Sequence, residues 1–255
     1  MRRWAGNQFA RVARRLGAEH LPAQSKGRLV WADAQKFELK HAIGFMDHPG
    51  FQEWVSRFDD SRFLASNGFL DKYFVGEFFG GDEVIAADFL RHITGKAVLD
   101  IGPCVFTPIS VWDVAARRII IEPLYNQVSQ WQIENRGRNL FVNVDEAYSS
   151  PAEQLIPQLI AKVDGAVLVR NCIDHSPQWP FILSNIARYM TPGAVLLLWN
   201  DLMHPPEYLD GHYDITDDSA AFRRLLETMG FSIEFEFRQP HSTMLDYGCR
   251  AVMMQ

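Results

Sequence analysis

From residue 96 onward, short apolar runs with β-branched content alternate with helical patterns. Ala97–Asp100, Arg118–Ile121, Asn139–Val144, Gly165–Val169 and Ala194–Trp199 each read as a strand. Continuous apolar strands imply burial on both faces, hence a parallel sheet between helices. Of the intervening helical patterns, Pro177–Met190 ends before Thr191-Pro192-Gly193, a stop signal. The tail differs. Ala220–Met229 reads as a helix closed by Gly230, and Phe231–Phe237 and Gly248–Met254 follow as two strands without a helix between them. Strands joined without a crossover helix pair antiparallel. The pattern therefore predicts seven strands, mostly parallel, with one reversed near the end.

Residues 17–90 are mixed. Helical spacing runs through Phe37-Glu38-Leu39 and Phe51-Gln52-Glu53-Trp54-Val55, and Asp47-His48-Pro49-Gly50 and Ser66-Asn67-Gly68 read as breaks. Phe69, Tyr73, Phe74, Phe78 and Phe79 cluster before Gly80-Gly81 and suit core packing or a ligand lid. The expected organisation is a helical N-terminal extension over 1–90 and a sheet domain over 91–255. No internal repeat is present.

Charge narrows the function. The 255 residues carry 25 basic and 31 acidic side chains, a net charge of −6, which disfavours nucleic acid as a partner. Five arginines (Arg2, Arg3, Arg11, Arg14, Arg15) and no acid fall within residues 1–15, leaving −11 on the rest. Trp4, Phe9, Val12 and Leu16 can share one helix side, so this segment suits weak contact with a partner or an anionic membrane surface, or plain docking on its own domain. No apolar run is long enough for a membrane helix and no secretory h-region is recognisable, so the expected location is cytoplasmic. Cys104, Cys172 and Cys249 lie far apart, form no disulfide framework and suggest no structural zinc site.

Ligands of such sheets sit at the carboxyl ends of the strands. Asp100-Ile101-Gly102-Pro103-Cys104 ends the first strand, and Glu122-Pro123-Leu124 the second. Asp100 and Glu122 are 22 residues apart, one strand–helix–strand unit, and an acid at the second tip is placed to accept from both ribose hydroxyls of a nucleoside. Asn171-Cys172-Ile173-Asp174-His175-Ser176-Pro177 follows the fourth strand. His175 is the first candidate for proton transfer and Asp174 the second; the plainer reading makes Asp174 or Ser176 a helix cap. Asn200-Asp201 after the fifth strand could join Asp174 around a divalent ion, but a turn with two Asx side chains explains them as well, and no metal is expected. His204, Asp210 and His212 lie in the next loop, which would cover the pocket.

Together these residues resemble a class I S-adenosylmethionine-dependent methyltransferase over about residues 96–255. Val98-Leu99-Asp100-Ile101-Gly102-Pro103 matches that family's first motif, and Ile121-Glu122-Pro123-Leu124-Tyr125 its acidic second tip. Ala152-Glu153-Gln154-Leu155-Ile156-Pro157, Asn171 through His175, Ile186 through Gly193, and Leu225 through Phe231 match later segments in order. The resemblance implies a Rossmann-like, doubly wound fold and S-adenosyl-L-methionine as cofactor. It also implies roles. Asp100, Gly102 and Pro103 would line the methionine end, Glu122 would hold the ribose with Pro123 beside it, and Leu124 would flank adenine. Ala152 and Glu153 would meet the adenine edge, Asn171 and Cys172 the methionine part, and Asp174 and His175 the acceptor, a small molecule or glycan. Tyr73 and its neighbours would form part of a lid. One departure stands out: Cys104 and Phe106 replace the glycines that usually follow Gly102. Two rivals follow. One is a catalytically silent methyltransferase-like partner or scaffold. The other is a nicotinamide-dependent oxidoreductase, which lacks support from a full Gly-x-Gly-x-x-Gly loop.

Overall fold

The computed structural model describes residues 31–49, 52, 75–204, 212–238 and 244–255. The arginine-rich segment, Phe69, Tyr73, Phe74 and Asp210 lie outside them. The described chain runs α1 (Trp31–Asp47), α2 (Val75–Phe79), α3 (Glu83–Ile93), β1 (Ala97–Ile101), β2 (Arg117–Ile121), α4 (Tyr125–Arg136) and β3 (Glu146–Tyr148). It continues through β4 (Ala166–Arg170), α5 (Trp179–Tyr189), β5 (Val195–Met203), α6 (Ser219–Thr228), β6 (Phe231–Phe237) and β7 (Leu245–Met253). One seven-stranded sheet has the order β3-β2-β1-β4-β5-β7-β6. Only β7 is reversed, pairing antiparallel with both β5 and β6. This is the doubly wound, Rossmann-like architecture that the pattern predicts. No described helix is long and apolar enough to cross a membrane.

Alternation along the strands builds two cores. Leu99 and Ile101 of β1, Ile119 and Ile121 of β2, and Leu196 and Leu198 of β5 face one side, with Ile182 and Ile186 of α5 and Phe222 and Leu226 of α6. Val98, Ile120 and Leu197 face the other, with Ala42 and Met46 of α1, Phe89 and Ile93 of α3, and Val128 of α4. Every residue of β1 is buried, as expected of a strand covered on both faces. Helix α3 runs across position 90 and starts on Asp82, whose carboxylate accepts from the Val84 and Ile85 amides at 2.9 and 3.0 Å. Asp218 caps α6 in the same way. The N-terminal elements are thus packed into the second core.

The structure corrects two strands. The third is not Asn139–Val144 but Glu146–Tyr148, at the sheet edge, where Arg117 grips Glu146 with two hydrogen bonds of 2.6 Å. Leu140 and Phe141 are apolar because they fill the second core from a loop. Gln132 Oε1 and Asn139 Oδ1 accept the loop amides of Leu140 and Phe141 in place of a strand partner. The fifth strand runs on to Met203, so Asn200 and Asp201 lie within it and not in a turn after it.

Candidate functional site

The winding direction switches between β1 and β4, and the carboxyl ends of β1, β2, β4 and β5 share one rim. Open α/β sheets bind ligands at that crevice. The loop after β1 turns sharply through Gly102 (φ 69°) and Cys104 (φ 63°). Thr107 Oγ1 donates to Asp100 Oδ2 at 2.5 Å and accepts from the Ile109 amide, fastening the far side of that loop to β1. Cys104, the unusual residue, is exposed in the crevice, where desolvation by the surrounding protein and then the Glu122 and Glu38 charges raise its thiol pKa, and Phe106 packs against the second core. Left-handed backbone at a non-glycine costs of order 1 kcal/mol. Here it aims the Cys104 amide at Glu122.

Glu122 is buried at the tip of β2 and 5 % exposed. Its two oxygens each accept a backbone N–H: Oε2 from Cys104 and Oε1 from Leu124, both at 2.9 Å. A carboxylate has about four lone-pair sites, so two remain for a ligand. Burial pushes its pKa up to about 7 against those amide bonds, and the Glu38 charge adds to the rise. Asp100 is likewise raised to about 7 by burial; Thr107 opposes the shift and the Glu122 charge reinforces it. Two carboxyls titrating near neutrality in one crevice suit a ligand that donates hydrogen bonds or carries positive charge. The residues therefore fit an adenosyl group with hydroxyl donors and a cationic end.

The neighbouring loops close in around this pair. Ser149 Oγ donates to the Pro123 carbonyl at 3.0 Å, bringing the loop after β3, with half-buried Ala152 and Glu153, beside the β2 tip. The Leu124 side chain lies in the second core, so its amide is what it offers Glu122. Pro103 and Pro123 are half-buried beside these turns, and Asn171 adopts a left-handed turn (φ 48°) at the end of β4. Cys172 Sγ donates to the Ile101 carbonyl at 3.1 Å. A Cβ on Gly102 would stand 2.5 Å from Cys172 Cβ. The glycine is therefore required by its protein neighbour. Gly102→Ala is expected to destabilise the fold by about 2–4 kcal/mol, the sum of a left-handed backbone and a steric overlap. Thermal melting checks this: Cys172→Gly in the same background should restore part of the loss, and an unshifted Gly102→Ala melting temperature would contradict it.

Beyond β4 lies a second group of polar residues. Asn200 Oδ1 accepts the Cys172 and Ile173 amides at 2.9 and 3.0 Å, and its Nδ2 donates to Asp174 Oδ1 at 2.8 Å. Asn200 is thus a clasp with its oxygen already used twice. Ser176, not Asp174, makes the turn into α5, accepting the Gln178 amide at 3.1 Å. Asp174 is fully buried. His204, also buried, places Nε2 3.0 Å from Asp174 Oδ2. His212 lies between two rings tilted to its own, with centroids 4.8 Å from His204 and 4.4 Å from His175.

His175 is half-buried and its Nδ1 lies 3.0 Å from Glu38 Oε1. Burial lowers the pKa of this imidazole, but the Glu38 bond and the Asp174 charge outweigh it and raise the value to about 9. Glu38, on α1, has no counterpart among the sequence candidates; the helical spacing through Phe37-Glu38-Leu39 marks only a helix. A second N-terminal tie links Glu77 to Arg170 at the end of β4, at 3.0 Å. Sequence reasoning treats His204 and His212 as loop residues; His204 does follow β5 directly, but it is buried. Among the described residues, the rim thus unites Asp100, Gly102, Glu122, Asn171 and Cys172 on one side and Asp174, His175, His204 and His212 on the other.

Comparisons with known proteins agree with this architecture. No protein-family model matches the chain, and no curated protein matches it in sequence. Solved structures do. A 1,6-didemethyltoxoflavin-N1-methyltransferase from Burkholderia thailandensis, with S-adenosylhomocysteine and 1,6-didemethyltoxoflavin bound, is 14% identical at a TM-score of 0.50, covering 92% of this chain and 98% of its own. A candidate sarcosine dimethylglycine methyltransferase from Galdieria sulphuraria is 14% identical at a TM-score of 0.52, covering 69% of this chain and 86% of its own. A candidate methyltransferase from Bacillus halodurans is 14% identical at 0.50, covering 69% of this chain and all of its own. The fold is the class I methyltransferase fold.

Proposed function

We propose that this chain is an S-adenosylmethionine-dependent methyltransferase acting in the cytoplasm on a small-molecule or glycan-type acceptor. The reading rests above all on Glu122: a buried carboxylate at the β2 tip, held by two backbone amides and keeping acceptor capacity toward the crevice. The reversed strand supports it too, because the nicotinamide-binding fold orders its strands 3-2-1-4-5-6 without this insertion.

When bound, the cofactor supplies an electrophilic methyl group on sulfur. The protein's part is alignment and exclusion of water. Glu122 binds the ribose hydroxyls, with Pro123 and Leu124 shaping the adenine side and Ala152 and Glu153 its edge. Asp100, Gly102 and Pro103 bind the methionine end, and Asn171 and Cys172 border it across the switch point. Glu38 fixes the His175 ring through Nδ1, and because the ring's pKa is raised to about 9, Nε2 takes the acceptor's proton only in the neutral form that grows as pH rises toward that value. Asp174, fully buried, positions this group through its charge. Helix α1, N-terminal to the sheet, contributes Glu38 to the acceptor side.

Calorimetric titration of the whole chain tests this reading. S-adenosylhomocysteine should bind at one site with micromolar affinity, and NAD should not bind; absence of heat with the folded protein would favour the scaffold. The titration should also depend on pH. Ribose hydroxyls donate, so the ionised form of Glu122 binds, and its pKa lies at about 7. Affinity should therefore rise roughly tenfold from about pH 6 to about pH 8. Glu122→Gln should remove most of that slope, and a flat wild-type profile would contradict the assignment.

A further inference from the structure

We infer that Asp174, His204 and His212 form a binding site for one divalent transition-metal ion, zinc being the ion that best suits the donor set. One ligand atom from each residue lies within 4.8 Å of the others. Two imidazoles and one carboxylate select zinc and its neighbours over magnesium or calcium, which take oxygen ligands. Three protein ligands leave a further position open, as in catalytic rather than structural zinc sites.

The buried atoms supply an independent observation. Among the described residues, Asp174 Oδ2 and both ring nitrogens of His204 make no hydrogen bond, although Asp174 is 0 % and His204 7 % exposed. Buried groups left without any partner cost about 1–3 kcal/mol each, and the ion contact between His204 and Asp174 offsets only part of that. His204 Nε2 and Asp174 Oδ2 approach to 3.0 Å without hydrogen-bond alignment. Two ligands at zinc distances of about 2.0–2.1 Å stand about 3.3 Å apart in a tetrahedron, so this pair is already close to one edge of a coordination shell.

The outer shell is in place as well. Asn200 Nδ2 occupies Asp174 Oδ1 at 2.8 Å, which directs Oδ2 toward the histidines. Asp214 Oδ1 accepts the His204 amide at 2.9 Å and lies 3.6 Å from its Nδ1. A small ring rotation completes the carboxylate–histidine–metal relay that orients metal-bound imidazoles. The ring of His175 lies next to that of His212. On the methyltransferase reading, and resting on it, an ion here would meet an acceptor oxygen on the His175 side and lower its pKa, so that its proton passes to the neutral His175 ring or to water, which points to oxygen acceptors that can ligate a metal.

The test uses the full chain stripped with chelator and titrated with zinc sulfate in a calorimeter. One equivalent should bind with micromolar affinity or better. His204→Ala and His212→Ala should each weaken binding at least about 100-fold. His92→Ala, on the α3 surface, should not change it. Cobalt(II) should give the visible bands of a nitrogen-ligated, low-coordinate site, lost in His212→Ala. Should buried His204→Ala fail to fold, half-buried His212→Ala decides. No stoichiometric zinc on the folded wild type, or affinity unchanged in His212→Ala, overturns the site. S-adenosylhomocysteine titrated into the metal-free protein separates the two claims: its binding without zinc binding sinks only the metal site, and zinc binding alone sinks only the methyltransferase reading.

Discussion

Glu122→Ala is expected to weaken S-adenosylhomocysteine binding by about 1–3 kcal/mol, the range for hydrogen-bonding groups left without a partner on burial. The carboxylate does two things at once. It accepts the Cys104 and Leu124 amides, fixing the loops after β1 and β2, and on the proposed reading it offers its remaining lone pairs to the ligand. The alanine variant loses both. Glu122→Gln separates them, because a carboxamide keeps one oxygen for an amide and presents a donor where the other oxygen was. Isothermal titration of both folded variants checks this. Alanine affinity equal to wild type would remove Glu122 from the site.

His175→Ala should lower turnover about 100-fold or more while leaving cofactor affinity unchanged, the size expected for loss of a positioned proton acceptor. The imidazole is held by Glu38 from α1 and is separated in role from Glu122 at the β2 tip. Glu38→Gln should shift the rise of the rate with pH to lower pH, since the ring would lose the neighbouring charge that raises its pKa to about 9. The readout is the initial rate of S-adenosylhomocysteine release with hydroxylated small-molecule acceptors, beside a titration of the cofactor. Equal losses in rate and affinity would make His175 a structural residue.

The nucleotide half of this picture is local in sequence. Asp100, Gly102 and Glu122 stand where strands end; β6 has the bounds that its apolar residues mark in the chain, and β1 runs one residue further, to Ile101. The acceptor half is not local. Glu38 meets His175 across 137 residues, and no pattern near either residue encodes the pairing. His204 reads as a loop histidine and does follow β5, but nothing in the sequence shows that it turns inward against Asp174. Asn200 next to Asp201 resembles a turn pair, and only the fold shows its oxygen committed to two amides. The third strand was hidden for the opposite reason. Glu146–Tyr148 pairs along one edge of β2 with half-exposed residues, so it lacks the apolar signature that Leu140 and Phe141 display in a core-filling loop. Periodicity reports burial, and burial coincides with strand only where both faces of the sheet are covered.

A crystal structure of the full chain grown with S-adenosylhomocysteine tests the central claim most directly. Both ribose hydroxyls should lie within hydrogen-bond distance of Glu122, with the sulfur turned toward His175. A nucleoside bound elsewhere, or a loop in which Cys104 and Phe106 close over Glu122 and shut the ligand out, would contradict it.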